Sequence, residues 1–206
     1  MNTDQFTKHA LVILLHEIYG VNDHMAACQE MMLGAGFDAI VPNLLHREAF
    51  SYDEEELAHT YFVGEIGFAK AKEEVKQIIN EYRAGYERIY LVGFSAGATL
   101  AWLCSEDQVD GVIGFYGSRI RNYVETEPHC PTLLFFSRHE TSFDVPDLAA
   151  KLQASKKNLT VEIVDADHGF MNPFDKSFQQ EHYRRCLDRS FDFFRSIEGD
   201  TEPLDS

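Results

Sequence analysis

A serine stands between two glycines at residues 93–97, where the sequence is Gly-Phe-Ser-Ala-Gly. The apolar run 88–92 before it predicts a buried strand, and residues 96–105 after it have a helical pattern. A turn this sharp strains its central residue, and flanking glycines remove the Cβ atoms that would clash. Ser95 would then stand where a helix begins, and N–H groups there stabilise developing negative charge. The pattern predicts a nucleophilic serine with the N–H of Ala96 as an oxyanion donor.

Glycine-rich turns between a strand and a helix also bind nucleotides. The G-x-G-x-x-G spacing of dinucleotide sites is absent here, because Ser95 occupies the position of the second glycine. No Gly-Lys-Ser/Thr sequence follows that would hold phosphates. The spacing therefore favours a nucleophile over a nucleotide site.

A serine hydroxyl needs a neighbouring base, and the histidines that follow Ser95 along the chain are His129, His139, His168 and His182. His168 comes shortly after the predicted strand 160–164, which places its imidazole at the carboxyl edge of the sheet, beside the serine. His129 precedes a strand and would lie at the opposite edge, whereas His182 lies within a predicted helix. We therefore predict that His168 is the base.

The acid that orients this histidine is expected in the loop 137–146, after the preceding predicted strand. Glu140 lies four residues beyond the end of that strand, where such an acid usually projects. Asp144 is the alternative, but it precedes Val145-Pro146 and could equally cap the next helix. We favour Glu140 because of its position, although either carboxylate could orient His168 and stabilise its imidazolium.

The elements that must position these side chains alternate along the chain. Short apolar segments predict strands at residues 10–15, 38–41, 88–92, 111–115, 132–136 and 160–164. Helical patterns lie between or after them at residues 23–33, 66–82, 96–105, 146–155 and 176–197. Most strand segments are continuously apolar, which is typical of a parallel sheet covered on both faces. The pattern predicts an α/β fold with a mostly parallel central sheet and right-handed crossovers.

One domain is predicted over residues 1–197, because neither a repeat nor a Pro/Gly/Ser-rich linker interrupts them. Ser51 followed by Glu54 is typical of a capping box and predicts a helix in the region 51–62. Residues 198–206 carry four acidic residues and a proline, which predicts a disordered tail. No insertion is long enough for a large lid, so we expect an open site.

The charge and cysteine content of the chain limit the classes of partner and the cellular compartment that we expect. The chain has 206 residues, and its 34 acidic against 18 basic side chains give a formal net charge of −16. Nucleic acid binding needs a concentrated basic surface and is not expected. The four cysteines are scattered, which predicts neither a zinc site nor disulfides but reduced thiols in a cytoplasmic protein. Residues 1–9 are polar and the apolar run 10–15 is short, so neither a signal peptide nor a membrane segment is expected.

From residue 11 to about residue 194 the chain resembles the dienelactone hydrolase family, which has the three-layer α/β-hydrolase fold. The likeness includes the serine turn, the His168-Gly169-Phe170 segment and residues 16–20, with sequence His-Glu-Ile-Tyr-Gly, after the first strand. The resemblance implies that Glu17 lies near the nucleophile and that Ile18 supplies the second oxyanion N–H. It also implies an acid within the loop 140–144.

Two positions depart from the family pattern. The best-known members carry a cysteine nucleophile where this chain has Ser95, so Glu17 is expected to play a different part here. Dienelactone-specific members carry an arginine four residues after the histidine, which clamps the substrate carboxylate, and this chain has Asn172 there. An amide does not replace a bidentate cation, which makes dienelactone itself a doubtful substrate.

The residues and the resemblance together predict a carboxylesterase that cleaves a small ester or lactone through an acyl-enzyme, without a cofactor. We expect Glu17, Tyr19 and Phe170 to line the substrate pocket, although such aromatics, like Phe143, are equally typical of packing. A thioesterase or peptidase on the same triad is an alternative, as is a catalytically silent scaffold that acts as a binding protein. A metal hydrolase is disfavoured, because residues 16–20 begin like H-E-x-x-H but end in glycine.

Overall fold

The computed structural model describes residues 8–199. Its central layer is one six-stranded sheet formed by β1 (Lys8–Leu15), β2 (Asp38–Ile40), β3 (Tyr86–Phe94), β4 (Gly111–Phe115), β5 (Thr132–Ser137) and β6 (Leu159–Val164). The strand order is β2-β1-β3-β4-β5-β6, and every neighbouring pair is parallel. The predicted α/β fold with a parallel sheet is therefore confirmed, and all six predicted strands are present, β4 with the predicted ends and the other five with ends shifted by one or two residues.

Helices cover both faces of this sheet. They are α1 (Asp23–Gly34), α2 (Glu55–Tyr61), α3 (Gly67–Arg83), α4 (Ala96–Leu103), α5 (Val145–Ser155) and α6 (Gln180–Gly199). Apolar side chains of α1 and α6 pack in one core on one face. Those of α2, α3, α4 and α5 pack in two cores that include the alternate strand residues, such as Leu11, Ile13 and Leu134. This arrangement is the three-layer α/β-hydrolase fold.

Several helix boundaries differ from the sequence predictions, and the largest difference is in the last helix. The last helix begins at Gln180 rather than at residue 176, because a turn precedes it in which the Asp175 carboxylate accepts the N–H of Ser177 at 2.7 Å. The same helix continues to Gly199, so residues 198 and 199 are helical and not part of a disordered tail. The remainder of that predicted tail, 200–206, lies outside the described residues. α4 ends at Leu103, and a 3-10 turn, Cys104–Glu106, follows it.

The segment between β2 and α3 contains the predicted capping box. The Glu54 carboxylate accepts hydrogen bonds from the N–H and the hydroxyl of Ser51 at 2.9 and 2.8 Å. The turn Tyr52–Glu54 leads directly into α2, and a π-helical turn, Phe62–Ile66, connects α2 to α3. No separate lid domain is inserted among residues 8–199.

The strand order reverses between β1 and β3, because the chain goes from β1 to β2 on one side and then returns to the other. Leu15 at the end of β1 pairs with Gly93 near the end of β3, so the loops that follow these two strands are neighbours. A crevice at the carboxyl ends of strands, at such a reversal, is where open α/β sheets place their sites. No helix within 8–199 combines the length and the apolar character needed to cross a bilayer.

Candidate active site

Ser95 alone connects β3 to α4. Its backbone has φ 53° and ψ −112°, in the positive-φ region that residues other than glycine rarely adopt. Strain of this kind costs about 1–3 kcal/mol and is typical of functional turns. The N–H of Ser95 donates to the carbonyl oxygen of Phe115 in β4 at 2.9 Å, which holds the strained turn against the sheet.

Both flanking glycines are required by close backbone approach. A Cβ atom on Gly93 would lie 2.1 Å from the carbonyl oxygen of Gly97. A Cβ atom on Gly97 would lie 2.0 Å from the carbonyl oxygen of Leu15. The absence of side chains here lets α4 begin directly against the end of β1, which brings residues 16–18 next to the serine.

We expect Gly97→Ala to destabilise the fold by about 3 kcal/mol or more, because the new methyl group meets backbone that cannot move without opening the sheet. Gly64→Ala is the matched control, since a Cβ there meets nothing within 4 Å. That change should not lower stability, and because Gly64 lies in the helical turn Phe62–Ile66 a gain of up to about 1 kcal/mol is expected. Urea unfolding of the two variants measures the difference, and equal stabilities would contradict this account of the turn.

The structure brings the predicted serine, histidine and glutamate into one hydrogen-bonded chain. His168, in the loop after β6, places Nε2 2.9 Å from Ser95 Oγ. Its Nδ1 lies 2.5 Å from Oε1 of Glu140, in the loop after β5. The same oxygen accepts the hydroxyl of Ser137 at 3.3 Å, and the Glu140 side chain is 9% exposed. This is the arrangement in which a base removes the serine proton and a carboxylate stabilises the resulting imidazolium.

The surroundings favour the protonated form of His168. Burial by itself would lower its pKa, but the hydrogen bond and the negative charge of Glu140 outweigh burial. The charges of Glu17 and Asp175 act in the same direction, so the pKa of His168 is raised above its ordinary value. The ring of Tyr116 packs against the imidazole, with a centroid distance of 4.8 Å.

A raised pKa at the base has a defined consequence for the pH profile. A general base must be neutral, so kcat/KM for an ester should fall as the pH drops through the pKa of His168. We expect the half-maximal value above pH 6.5, the ordinary value for histidine, with a tenfold loss per pH unit below it. Asp144→Asn should leave this midpoint unchanged, because Asp144 is not among the groups that raise the pKa. A midpoint below pH 6.5 would mean that the pKa of His168 is lowered in the protein, which would contradict this prediction.

The alternative acid, Asp144, faces its own helix and not the histidine. Its carboxylate accepts the N–H of Asp147 at 2.8 Å, at the first turn of α5, and Pro146 lies in that turn. Asp144 is thus an N-cap, the second of the two roles weighed for it. The structure places Glu140, and not Asp144, at Nδ1 of His168.

Two residues that are expected to supply oxyanion donors line the same cavity as the serine. Ala96, at the start of α4, and Ile18, after β1, line it together with Ser95 and His168. Within the described part of the chain, neither N–H donates to another protein group. Both amides are therefore available to a negatively charged oxygen bound beside Ser95.

Glu17 is buried beside this site, and its carboxylate lies near groups that favour its charged form. Burial alone would raise its pKa, but His24 and the charge of His168 outweigh that effect, so the pKa of Glu17 is lowered. His24 Nδ1, on α1, lies 3.7 Å from Glu17 Oε2, and despite burial the pKa of His24 is raised to about 9 by Cys28 and Glu17. Sequence reasoning missed His24, since its position in a helix gives no signal of its contact with residue 17.

Asn172 supports Glu17 where dienelactone-specific members carry their substrate clamp. Its Oδ1 accepts the N–H of Phe174 at 2.9 Å, which fixes the orientation of the amide. Nδ2 then donates to Glu17 Oε2 at 3.1 Å and to the Tyr52 hydroxyl at 2.8 Å. The side chain is fully buried, so it does not reach substrate. Where dienelactone-specific members have an arginine that binds substrate, this chain therefore has a buried amide that binds other side chains of the protein.

The cavity around Ser95 has a volume of about 390 Å³. Glu17 and Tyr19 line it as predicted, but Phe170 does not, because its ring is fully buried in the core against Tyr116. Further apolar lining comes from residues that the sequence analysis did not single out, Phe62, Val63 and Phe68. Among residues 8–199 no group of three or more His, Cys, Asp or Glu side chains is placed to hold a metal ion.

Comparison with known proteins identifies the family and the fold of this chain. The model of the dienelactone hydrolase family matches residues 1–198. Uncharacterized protein YczH of Bacillus subtilis is 41% identical over 181 residues, 86% of this chain and 88% of that protein. A putative carboxymethylenebutenolidase of Saccharolobus solfataricus is 23% identical over 228 residues, 90% and 89% of the two chains. The crystal structure of a putative dienelactone hydrolase from Klebsiella pneumoniae has a TM-score of 0.76 at 20% identity, covering 94% and 89% of the two chains.

The family match extends over nearly the whole chain, and the structure has the fold and the serine turn at the position where such enzymes carry their nucleophile. The chain therefore belongs to the dienelactone hydrolase family and is a hydrolase with the α/β-hydrolase fold.

Proposed function

We propose that this protein is a serine hydrolase that cleaves a small carboxylic ester or lactone through an acyl-enzyme. The observation that carries the proposal is the unbroken chain from Ser95 Oγ through both nitrogens of His168 to Glu140 Oε1, at 2.9 and 2.5 Å. A serine, a base and an orienting carboxylate in this order are the groups that acyl transfer requires.

The reaction would proceed in two steps. Ser95 Oγ attacks the substrate carbonyl while His168 Nε2 takes its proton, and Glu140 stabilises the imidazolium. The N–H groups of Ala96 and Ile18 hold the oxyanion of the tetrahedral intermediate. The intermediate then collapses, the bond between the carbonyl carbon and the alcohol oxygen breaks, and His168 gives its proton to the leaving alcohol, which leaves the acyl group esterified to Ser95. Water activated by His168 repeats the sequence and releases the acid.

Glu17 has no proton to exchange with the nucleophile in this scheme. Its Oε2 accepts a hydrogen bond from Asn172 and lies near His24, and its pKa is lowered by His24 and by the charge of His168. We propose that its charge contributes to the basicity of His168, which distinguishes this site from a thiol enzyme in which the glutamate controls a cysteine.

The cavity supports a small, partly apolar substrate. About 390 Å³ is near the lower end of small-molecule sites, and its apolar side is formed by Ile18, Phe62, Val63 and Phe68. Since Asn172 is buried and occupied, the arginine clamp for a substrate carboxylate is missing at this position. We propose esters or lactones of short acyl length as the substrate class, rather than dienelactone.

A panel of p-nitrophenyl esters, lactones and thioesters with different acyl lengths tests this proposal. We expect hydrolysis of short esters with the highest kcat/KM, and covalent labelling of Ser95 by a fluorophosphonate, located by peptide mass spectrometry. Higher kcat/KM for thioesters would make the protein a thioesterase. A protein that hydrolyses none of these and leaves Ser95 unlabelled would be a silent scaffold.

A further inference from the structure

His16 is the first residue after β1, and it is buried beside the site without lining the cavity. Its Nδ1 lies 2.6 Å from the carbonyl oxygen of Glu17. Its Nε2 lies 3.1 Å from the backbone nitrogen of Leu44, in the loop after β2. The ring thus connects two loops at the carboxyl edge of the sheet, and the catalytic chain of side chains does not use it.

These two partners determine the protonation of the ring. A backbone N–H only donates, so Nε2 must accept from Leu44, and a carbonyl oxygen only accepts, so Nδ1 must carry the proton. Burial lowers the pKa of His16, which is consistent with a neutral ring. His16 is therefore the neutral Nδ1–H tautomer, and it donates to Glu17.

The acceptor belongs to the peptide that carries one of the proposed oxyanion donors. The carbonyl of Glu17 and the N–H of Ile18 form a single planar unit, and in a trans peptide they point in opposite directions. The same carbonyl also accepts the N–H of Gly20 at 3.2 Å. Two donors hold the oxygen on one side, so the N–H of Ile18 is held on the other. Hydrogen bonds to the carbonyl also polarise the peptide and strengthen its N–H as a donor.

We propose that His16 is a positioning residue that orients the Glu17–Ile18 peptide so that its N–H completes the oxyanion hole. This inference rests on the proposed serine hydrolase function. It assigns to His16 an effect on the transition state and not on substrate binding, since the ring does not touch the cavity.

Two polar substitutions separate the hydrogen bond to Glu17 from the contact with Leu44. The amide of His16→Asn reaches the position of Nδ1 and can donate to Glu17, whereas that of His16→Gln reaches the position of Nε2 and keeps only Leu44. We expect His16→Gln to lower kcat about 100-fold with an unchanged KM, and His16→Asn to stay within about tenfold of wild type. A trifluoromethyl ketone forms an oxyanion on the serine, so its inhibition constant should rise with the loss of kcat.

Circular dichroism and thermal melting establish that both variants fold. In the wild-type protein, ¹⁵N NMR of His16 at neutral pH should show a protonated Nδ1 and an unprotonated Nε2, whether or not a variant folds. Equal losses in the two variants, an unchanged inhibition constant for His16→Gln, or an Nε2–H tautomer would overturn the inference while wild-type esterase activity stands. A wild-type protein without activity and with unlabelled Ser95 would overturn the proposed function and this inference with it.

Discussion

Replacing Ser95 by alanine is expected to lower kcat/KM for the best ester by about 10⁴-fold or more and to abolish fluorophosphonate labelling. The only nucleophile in the proposed mechanism is then missing, and the base has no hydroxyl to activate. Residual hydrolysis should reflect the oxyanion donors and substrate binding alone. Steady-state kinetics and intact-protein mass spectrometry after labelling measure the two losses.

The fold itself should tolerate this change. Ser95 has a strained backbone at φ 53°, and alanine in its place experiences the same strain, so thermal stability should change little. Ser142→Ala is the matched control, because that serine is exposed in the loop after β5, away from the hydrogen-bonded chain. It should retain full activity and labelling. Labelling that survives in Ser95→Ala would place the nucleophile elsewhere.

The second large effect is expected for Glu140→Gln, which should lower kcat by about 10³- to 10⁴-fold with a modest change in KM. The amide keeps the size of the side chain but removes the charge that stabilises the imidazolium of His168. A glutamine can also present its N–H₂ to Nδ1, which favours the wrong tautomer of the ring. Kinetics on the preferred ester measure this loss.

Asp144→Asn is the paired control for that experiment. Asparagine caps helices as well as aspartate does, so both stability and activity should remain close to wild type. Asp144→Ala removes the hydrogen bond to the N–H of Asp147 and should cost about 1 kcal/mol of stability while leaving kcat/KM unchanged. If Asp144→Asn were the inactive variant and Glu140→Gln the active one, the assignment of the acid would be wrong.

This chain combines the proposed serine nucleophile with a buried amide, Asn172, at the position where dienelactone-specific members of the family carry a substrate-clamping arginine. Both of these departures from the family pattern, Ser95 and Asn172, lie close to Glu17 in the structure. Asn172 and His24 hold that carboxylate, and its negative charge in turn supports the basicity of His168. In the proposed mechanism Glu17 is therefore part of the electrostatic surroundings of His168.

The amino-acid sequence by itself determined the features that depend on local patterns. The order of strands and helices follows from apolar periodicity, and the serine turn follows from two glycines at close spacing. His168 could be chosen because the end of a parallel strand defines an edge of the sheet. Helix ends were less certain, as the start of α6 at Gln180 shows, because a side-chain turn at Asp175 replaces the first predicted turn.

Only the tertiary structure decided which side chains meet across distant segments. Glu140 and Asp144 are four residues apart in one loop, and the direction of that loop, not its composition, sends one to His168 and the other to α5. Phe170 follows the histidine motif closely, yet it is buried in the core. The contact of His16 with Leu44 joins residues 28 positions apart. Such contacts depend on how loops pack at the sheet edge, and a linear pattern carries no information on that packing.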